Sequence, residues 1–293
     1  MQVVFGAGGR AGGETAQALL AMGEQVRVVL RRADQAEVWS ARGADVALAD
    51  MTDSDAVAAA LQGASGAFLL SPPPVAGNPY RVTEMIGSAL AKGAKAARLP
   101  KVVVLSSVGA QHATGTGVIA TLHLMETLLA GVAPATAFLR PGYYVETWSE
   151  VLGAVLGDGV LPTFTEPDLR MPMVSTIDVG RTAAALLAET WTGQRIVELG
   201  GPEDWSARDV AEAFATVLGR PIPPVFVPEP DRPAVYAEAG VPREVADALL
   251  GMYVGLASGR IAREGGHEDR RGSTALVTAV ARIVADAKGG GAV

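Results

Sequence analysis

FGAGGRAGG, Phe5 to Gly13, follows directly on the apolar run Gln2 to Phe5 and precedes a helix-forming stretch. The order strand, glycine loop, helix turns backbone N–H groups and the positive end of a helix dipole toward an anion such as a pyrophosphate, at a distance that a Cβ would prevent. With 35 glycines in 293 residues, chance alone supplies about 0.5 matches to Gly-x-x-Gly-x-x-Gly, so position carries the weight. Gly6, Gly9 and Gly12 fall at the strand-to-helix junction, and Glu14 to Met22 follows with Ala16, Leu19 and Leu20 at helical spacing before Gly23. Gly6, Gly8 and Ala11 satisfy the alternative spelling Gly-x-Gly-x-x-Ala, so two dinucleotide subclasses stay open.

Strand and helix patterns alternate outward from this loop. Strands are expected at Gln25 to Leu30, Ala44 to Ala49, Ala67 to Leu70, Lys101 to Leu105 and Ala135 to Leu139. A turn with a short helix over Arg31 to Gly43, and helices over Thr52 to Gln62, Tyr80 to Lys95 and Ile119 to Ala130, separate them. Strands that are apolar throughout belong in a parallel sheet covered on both faces. The expectation is an α/β fold of Rossmann type, a doubly wound parallel sheet with a smaller C-terminal substrate lobe.

Beyond Trp148 glycines and prolines become frequent, with a proline cluster from Pro221 to Pro233. Helices Ile177 to Glu189 and Ser206 to Leu218 flank a strand at Arg195 to Leu199, with Ser206 as N-cap and Asp209 three residues on. The division drawn from this is a nucleotide-binding core at 1–150, completed by 177–200, and a substrate-binding lobe made mainly of 151–293. The tail after Lys288 is expected to fray.

A net charge of −7 argues against phosphate-backbone binding, so nucleic acid is not an expected partner. No apolar run reaches the roughly 18 residues of a membrane span, and a strand lies where a leader's apolar segment would fall. A cytoplasmic protein with a small-molecule substrate and no membrane partner is expected, as a monomer or homodimer. Zero cysteines exclude disulfides and thiolate nucleophiles, and His112, His123 and His267 are too scattered to suggest a metal site. Redox chemistry would have to come from a bound cofactor.

The second strand ends at Arg31 and Arg32, where NAD sites usually place a carboxylate. A guanidinium binds a 2′-phosphate that a carboxylate would repel, so NADP(H) is favoured, with NAD(H) as the alternative. Arg10, inside the loop, is a second candidate for that phosphate, and Asp50 and Met51 are placed to contact the adenine. Ligands of parallel sheets lie outside the carboxyl ends of the strands. Ser71 to Pro74, Ser106 to Gly109 and Pro141 to Tyr144 are therefore expected to ring cofactor and substrate. Ser107, His123 and Tyr143 are the catalytic candidates. His123 shares a helix face with Glu126, and Tyr143 or Tyr144 follows a strand end, where a ring stacks over a ligand.

None of the five tyrosines has a lysine four residues later; Glu84, Thr147, Trp148, Gly240 and Ala257 stand there. A proton donor worth about 10²- to 10⁴-fold is thus missing for reduction of an ordinary carbonyl. Hydride transfer to a quinone is less demanding. Its product is a phenolate of pKa about 10, against about 15.7 for water standing in for an alkoxide, which lowers the protonation drive required by roughly 8 kcal/mol.

Taken in order, FGAGGRAGG, ADVALADMTDSDAVAAALQGASGAFLLSPP, KVVVLSSVGA, HLMETLL with TAFLRPGYYVETW, and STIDVGRTAAALLAE with GGPEDWSARDVAEAFATVLGRP resemble the NmrA-like branch of the atypical short-chain dehydrogenases/reductases, including its NADPH-dependent quinone reductases. The resemblance implies that Gly6, Gly9, Gly12 and Arg31 bind the cofactor and that Ser71, Pro72, Ser106 and Pro141 border its nicotinamide half. It also implies two outcomes: an oxidoreductase acting on a quinone or similar conjugated electrophile, or a non-catalytic NADP(H) sensor that reports to a protein partner. Some relatives keep a lysine one turn before the position of Glu126; here that turn reads Thr121-Leu122-His123.

Overall fold

The structure, a computed structural model, describes residues 1–288, so the tail after Lys288 lies outside the described residues. Strands β1 (Gln2–Phe5), β2 (Val26–Leu30), β3 (Asp45–Leu48), β4 (Gly66–Leu69), β5 (Lys101–Leu105) and β6 (Ala135–Pro141) alternate with helices α1 (Arg10–Ala21), α2 (Ala36–Ala41), α3 (Ser54–Ala60), α4 (Pro79–Ala96) and α5 (Ala120–Leu129). There follow β7 (Tyr143–Tyr144), α6 (Leu152–Gly157), β8 (Leu161–Thr163), β9 (Met171–Val174), α7 (Thr176–Ala188) and β10 (Gly193–Gly200). The chain continues through β11 (Asp204–Trp205), α8 (Ala207–Leu218), β12 (Pro224–Phe226), α9 (Arg232–Glu238), α10 (Arg243–Ala257), β13 (Glu268–Arg271) and α11 (Leu276–Lys288).

Eight strands form one sheet in the order β13-β10-β6-β5-β4-β1-β2-β3, and every pairing in it is parallel. Alternate residues of a strand face opposite layers. In β1, Val4 joins Leu19, Val28, Val179 and Leu199 beneath α1 and α7, while Val3 and Phe5 join Val57, Leu90, Leu129 and Phe138 beneath α3, α4 and α5. Both faces are therefore covered, which is why the strands read as continuous apolar runs. The order reverses between β4 and β1, and the crevice opens there, at the carboxyl ends of the strands.

Helix starts are specified locally. Asp53 accepts from the N–H groups of Asp55 and Ala56, Asn78 from those of Tyr80 and Arg81, and Ser206 forms a reciprocal capping box with Asp209. Helix α1 starts at Arg10, a turn earlier than its apolar spacing suggests, because the end of the glycine loop is already helical.

A third apolar cluster, including Trp148, Leu161, Met173, Trp205, Phe214 and Ile283, lies in the C-terminal part. There the small sheets β11-β9-β7 and β12-β8 form. Helix α10 leaves this part and packs directly on the short helical turn Gly117–Ile119: a Cβ on Gly117 would lie 2.2 Å from the carbonyl oxygen of Ala248 and from the amide nitrogen of Met252. Only glycine permits that approach. The main sheet also recruits β13 as an edge strand, so its last strand comes from 268–271 rather than from 177–200 alone. That strand reads EDRR, a charged run with no apolar alternation. Among the described residues no helix is long and apolar enough to cross a membrane.

Candidate active site

The glycine loop lies at the switch point of the sheet. Gly6 turns the chain with φ of 69°, and the N–H of Gly9 donates to its carbonyl at 2.9 Å. A Cβ on Gly12 would lie 2.2 Å from Gly6 O, whereas one on Gly8 would meet the flexible amide of Gln35 at 2.9 Å. The backbone thus requires glycine at Gly6, by its positive φ, and at Gly12, by the approach to the Gly6 carbonyl, while a Cβ on Gly9 would make only ordinary contact at 3.5 Å. Gly9 is the N-cap of α1, with no side-chain cap and no acidic residue in the first turn. The first N–H groups of a 12-residue helix are left to a ligand.

From this loop a cavity of about 650 Å³ runs along the carboxyl ends of the strands. Gly6, Gly9, Arg10, Ala11 and Gly12 line one end, and Leu70 to Pro74, Ser106 to Val108 and Pro141 to Tyr144 line its length. The Ser71 hydroxyl is buried there without a hydrogen-bond partner. An uncapped helix N-terminus, a glycine at its cap and an orphaned hydroxyl along the same wall fit a dinucleotide. The far wall comes from Tyr236 of α9 and from Val245, Leu249, Met252, Tyr253 and Leu256 of α10. Phe164 stacks edge-on against Tyr236 and Tyr253, with ring centroids 5.6 and 5.1 Å away. The volume is within the range of small-molecule sites, and the lining is dominated by aliphatic and aromatic groups.

Several expected residues take other places. Arg10 is engaged elsewhere: its guanidinium donates to Ser149 Oγ at 2.9 Å, in the helical segment Val145–Val151. Arg31 and Arg32 are exposed beyond β2, and Arg32 is paired with Asp34 at 2.8 Å, which leaves Arg31 as the better candidate for a phosphate. The Asp50 carboxylate accepts from the N–H and hydroxyl of Thr52, at 2.8 and 2.7 Å. Those bonds, with a smaller contribution from Arg31, hold its pKa below the ordinary value. Met51 packs on the apolar core at the edge of both sheet faces. Asp50 is exposed and Met51 half-buried, just past β3.

His123 does not reach the cleft. Its Nδ1 lies 2.9 Å from the carbonyl of Ala110, and the ring faces a separate polar pocket of about 330 Å³ with Arg140, Gln194 and His267. Glu126, three residues on, is buried between two donors: Ser106 Oγ at 2.5 Å and the guanidinium of Arg140 at 2.8 and 2.7 Å. The helix face shared by His123 and Glu126 is thus part of an internal ion pair. Ser106 lines the cleft with its hydroxyl already committed, and Ser107 Oγ donates to the carbonyl of Val108 at 2.9 Å.

Tyr143 does line the cavity, its phenol 3.3 Å from that of Tyr253. Burial pushes both phenols well above their ordinary pKa, and those of Tyr144 and Tyr236 as well. Tyr143 is therefore a poor acid here, suited to packing and to orienting a ligand. Two features of the wall are absent from the sequence reading: Glu150, and the stripe on α10. The stripe Val245, Leu249, Met252, Tyr253, Leu256 carries a helical period that was legible, but nothing local says what it faces.

A doubly wound parallel sheet, a glycine loop at its switch point and an apolar cavity alongside define a Rossmann-type dinucleotide-binding fold. The chain belongs to the NmrA-like family, whose family model matches residues 2–259. It is 25% identical over 263 residues to quinone oxidoreductase 2 of Escherichia coli, covering 88% of this chain and 89% of that protein. It is 23% identical over 255 residues to the NAD(P)H azoreductase of Xenophilus azovorans, covering 86% of each. Among solved structures, the NADPH complex of the NADPH-dependent quinone oxidoreductase of Escherichia coli superposes with a TM-score of 0.80 at 24% identity, over 97% of this chain and 100% of that one. The triphenylmethane reductase of Citrobacter sp., complexed with NADP(H), gives 0.79 at 20% identity, over 96% and 99%.

Proposed function

We propose that this protein is an NAD(P)H-dependent oxidoreductase that passes hydride to a quinone or similarly conjugated small-molecule acceptor. The observation that carries the reading is the single cavity joining the uncapped N-terminus of α1 to the apolar wall of α9 and α10. The apolar wall offers an acceptor a surface beside the dinucleotide loop, which a protein that only senses its cofactor does not need. The relatives named as quinone oxidoreductase and azoreductase support the same reading.

Gly6, Gly9 and Gly12 with the first turn of α1 would hold the pyrophosphate, and Arg31 the 2′-phosphate, so NADP(H) is the expected cofactor. Ser71, Pro72, Ser106 and Pro141 would border the nicotinamide, the orphaned Ser71 hydroxyl offering it a hydrogen bond. Bound there, the cofactor supplies a hydride. The chain's own part is to exclude water with the α10 side chains and to hold a planar acceptor against the cleft floor, a contribution from proximity and orientation. On this reading residues 1–150, completed by 177–200 and by β13, form the nucleotide-binding lobe, and most of the remainder forms the acceptor wall.

The test is NADPH oxidation over a panel of quinones, followed by loss of the reduced-nicotinamide absorbance. Turnover with a preference for NADPH over NADH is expected. Tight NADPH binding with no turnover on any acceptor would sink the reading.

A further inference from the structure

We propose that Glu150 is the proton donor of this cavity, a catalytic residue that protonates the oxygen of the reduced acceptor. The proposal rests on the oxidoreductase reading above and names a group that the sequence did not single out. The ionisable side chains on the cavity wall are Arg10, Tyr143, Tyr144, Glu150, Tyr236 and Tyr253. An arginine does not give up its proton in a protein, and the four phenols hold theirs more tightly than a free tyrosine does. Glu150 is the one carboxyl on the wall among the described residues.

Its setting suits the task. Glu150 belongs to the segment Val145–Val151, which is tied down at two points. The Glu146 carboxylate accepts from Ser175 Oγ at 2.6 Å and from the N–H of Thr176 at 2.9 Å, and Ser149 Oγ accepts from Arg10 at 2.9 Å. Between such anchors the carboxyl of Glu150 makes no hydrogen bond or ion pair with any described residue, and it keeps an exposed surface on the cavity wall. Glu126 and Glu146, by contrast, are fully engaged.

The groups around Glu150 are Arg10 from α1, Tyr143 from β7, Tyr236 from α9 and Tyr253 from α10. Of these only Arg10 is charged near neutral pH. Desolvation raises the pKa of Glu150 and Arg10 opposes it, the rise prevailing. A carboxyl moved upward toward the working pH is what general acid catalysis requires.

The step balances. A quinone that accepts a hydride, with its two electrons, from a reduced nicotinamide becomes a hydroquinone monoanion. The O–H bond of Glu150 breaks, an O–H bond forms on the phenolate oxygen, and the neutral hydroquinone leaves. The carboxylate of Glu150 then takes a proton from water. Transfer from a carboxyl to a phenolate of pKa about 10 runs downhill.

The experiment compares wild type, Glu150→Gln and Glu150→Asp, each saturated with NADPH, for kcat against pH on a neutral quinone. NADPH affinity is measured alongside, and the Glu150 carboxyl is titrated by carbon-13 NMR in cofactor-free protein, assigned by its absence from the Gln variant. Wild-type kcat should fall as pH rises through the Glu150 titration. The Gln variant should be slower by about 10²-fold, the low end for a general acid, with that pH limb gone. The Asp variant should keep the limb, and NADPH affinity should be unchanged in both. A Gln variant with wild-type kcat and the same pH limb overturns the proposal, as does an NMR titration at the ordinary carboxylate position. Absence of turnover by the wild type itself overturns the underlying oxidoreductase reading instead.

Discussion

Ser106 and Glu126 are joined by a hydrogen bond of 2.5 Å, and the same carboxylate grips Arg140 in a fork. The Arg140 side chain is 4% exposed, and its remaining N–H group reaches Glu264 at 2.6 Å. This chain ties the cleft end of β5 to α5, β6 and the loop before β13. Removing one partner of a buried pair leaves a charge without compensation. Glu126→Ala should therefore lower unfolding stability by about 3 kcal/mol, against about 1.5 kcal/mol for Ser106→Ala. Urea unfolding measures both, and a Glu126→Ala variant as stable as wild type would rule out the pair as a structural tie.

Gly12→Ala and Gly8→Ala separate the two spellings of the loop. The first puts a methyl group 2.2 Å from a backbone carbonyl, the second 2.9 Å from a mobile glutamine tip. Overpacking costs about 1–3 kcal/mol. Gly12→Ala should therefore lower unfolding stability by about 1–3 kcal/mol and, by shifting the loop, weaken NADPH binding more than Gly8→Ala does. Titration calorimetry gives both affinities; equal losses would contradict the assignment.

Arg31→Glu should reverse the cofactor preference. Replacing a charge-assisted bond of about 1.5–3 kcal/mol with repulsion predicts a fall of at least about tenfold in the NADPH to NADH affinity ratio. Arg32→Ala should leave the ratio nearly unchanged, because Arg32 is already paired with Asp34. Affinities for the two cofactors, measured at one ionic strength, decide it.

Glu150 carries a stability signature of its own. Its pKa is raised in the folded protein, so its contribution is fully present below the unfolded carboxylate value, about 4.3, and is lost as pH rises through the folded value. Glu150→Gln removes that loss. Relative to wild type, the Gln variant should gain stability as pH rises from the unfolded carboxylate value through the folded one. Parallel urea curves across that titration read the difference; a gap that does not change with pH would count against the raised pKa of the carboxyl.

Leu249→Trp fills the cavity from α10 without touching the loop. KM for a bulky quinone should rise by about tenfold or more, the scale of one hydrophobic-pocket contact, while NADPH affinity stays put. Steady-state kinetics with a small and a bulky quinone separate this from a general loss of function.

Much of the frame was legible because each step was local. Apolar runs such as KVVVL mark strands buried on both faces, and Ser206 with Asp209 marks a helix start by its own hydrogen bonds. The edge strand β13 was not legible, because EDRR has the pattern of a solvated run and gains strand geometry only from pairing with β10. The site divided along the same line. The loop glycines lie where their spacing puts them. His123 and Glu126 share a helix face, and both border the side pocket instead of the cleft, Glu126 held in a buried pair with Arg140; spacing alone does not say which neighbour a face will meet. Glu150 went unnoticed for a related reason: its chemistry depends on walls contributed by α9 and α10, far along the chain.

The contact of α10 with Gly117 bears on how such a protein changes over time. The helix is seated through main-chain atoms, whereas Val245, Leu249, Met252 and Leu256 contribute side chains to the cavity. Anchor and lining are thus carried by different atoms of one helix. Substitutions at Val245 and Leu249, which unlike Met252 and Leu256 do not also pack in the third apolar cluster, can remodel the shape offered to an acceptor while the seat of the helix and the nucleotide loop stay as they are. A single helix thereby gives selection a replaceable surface on a fixed chassis.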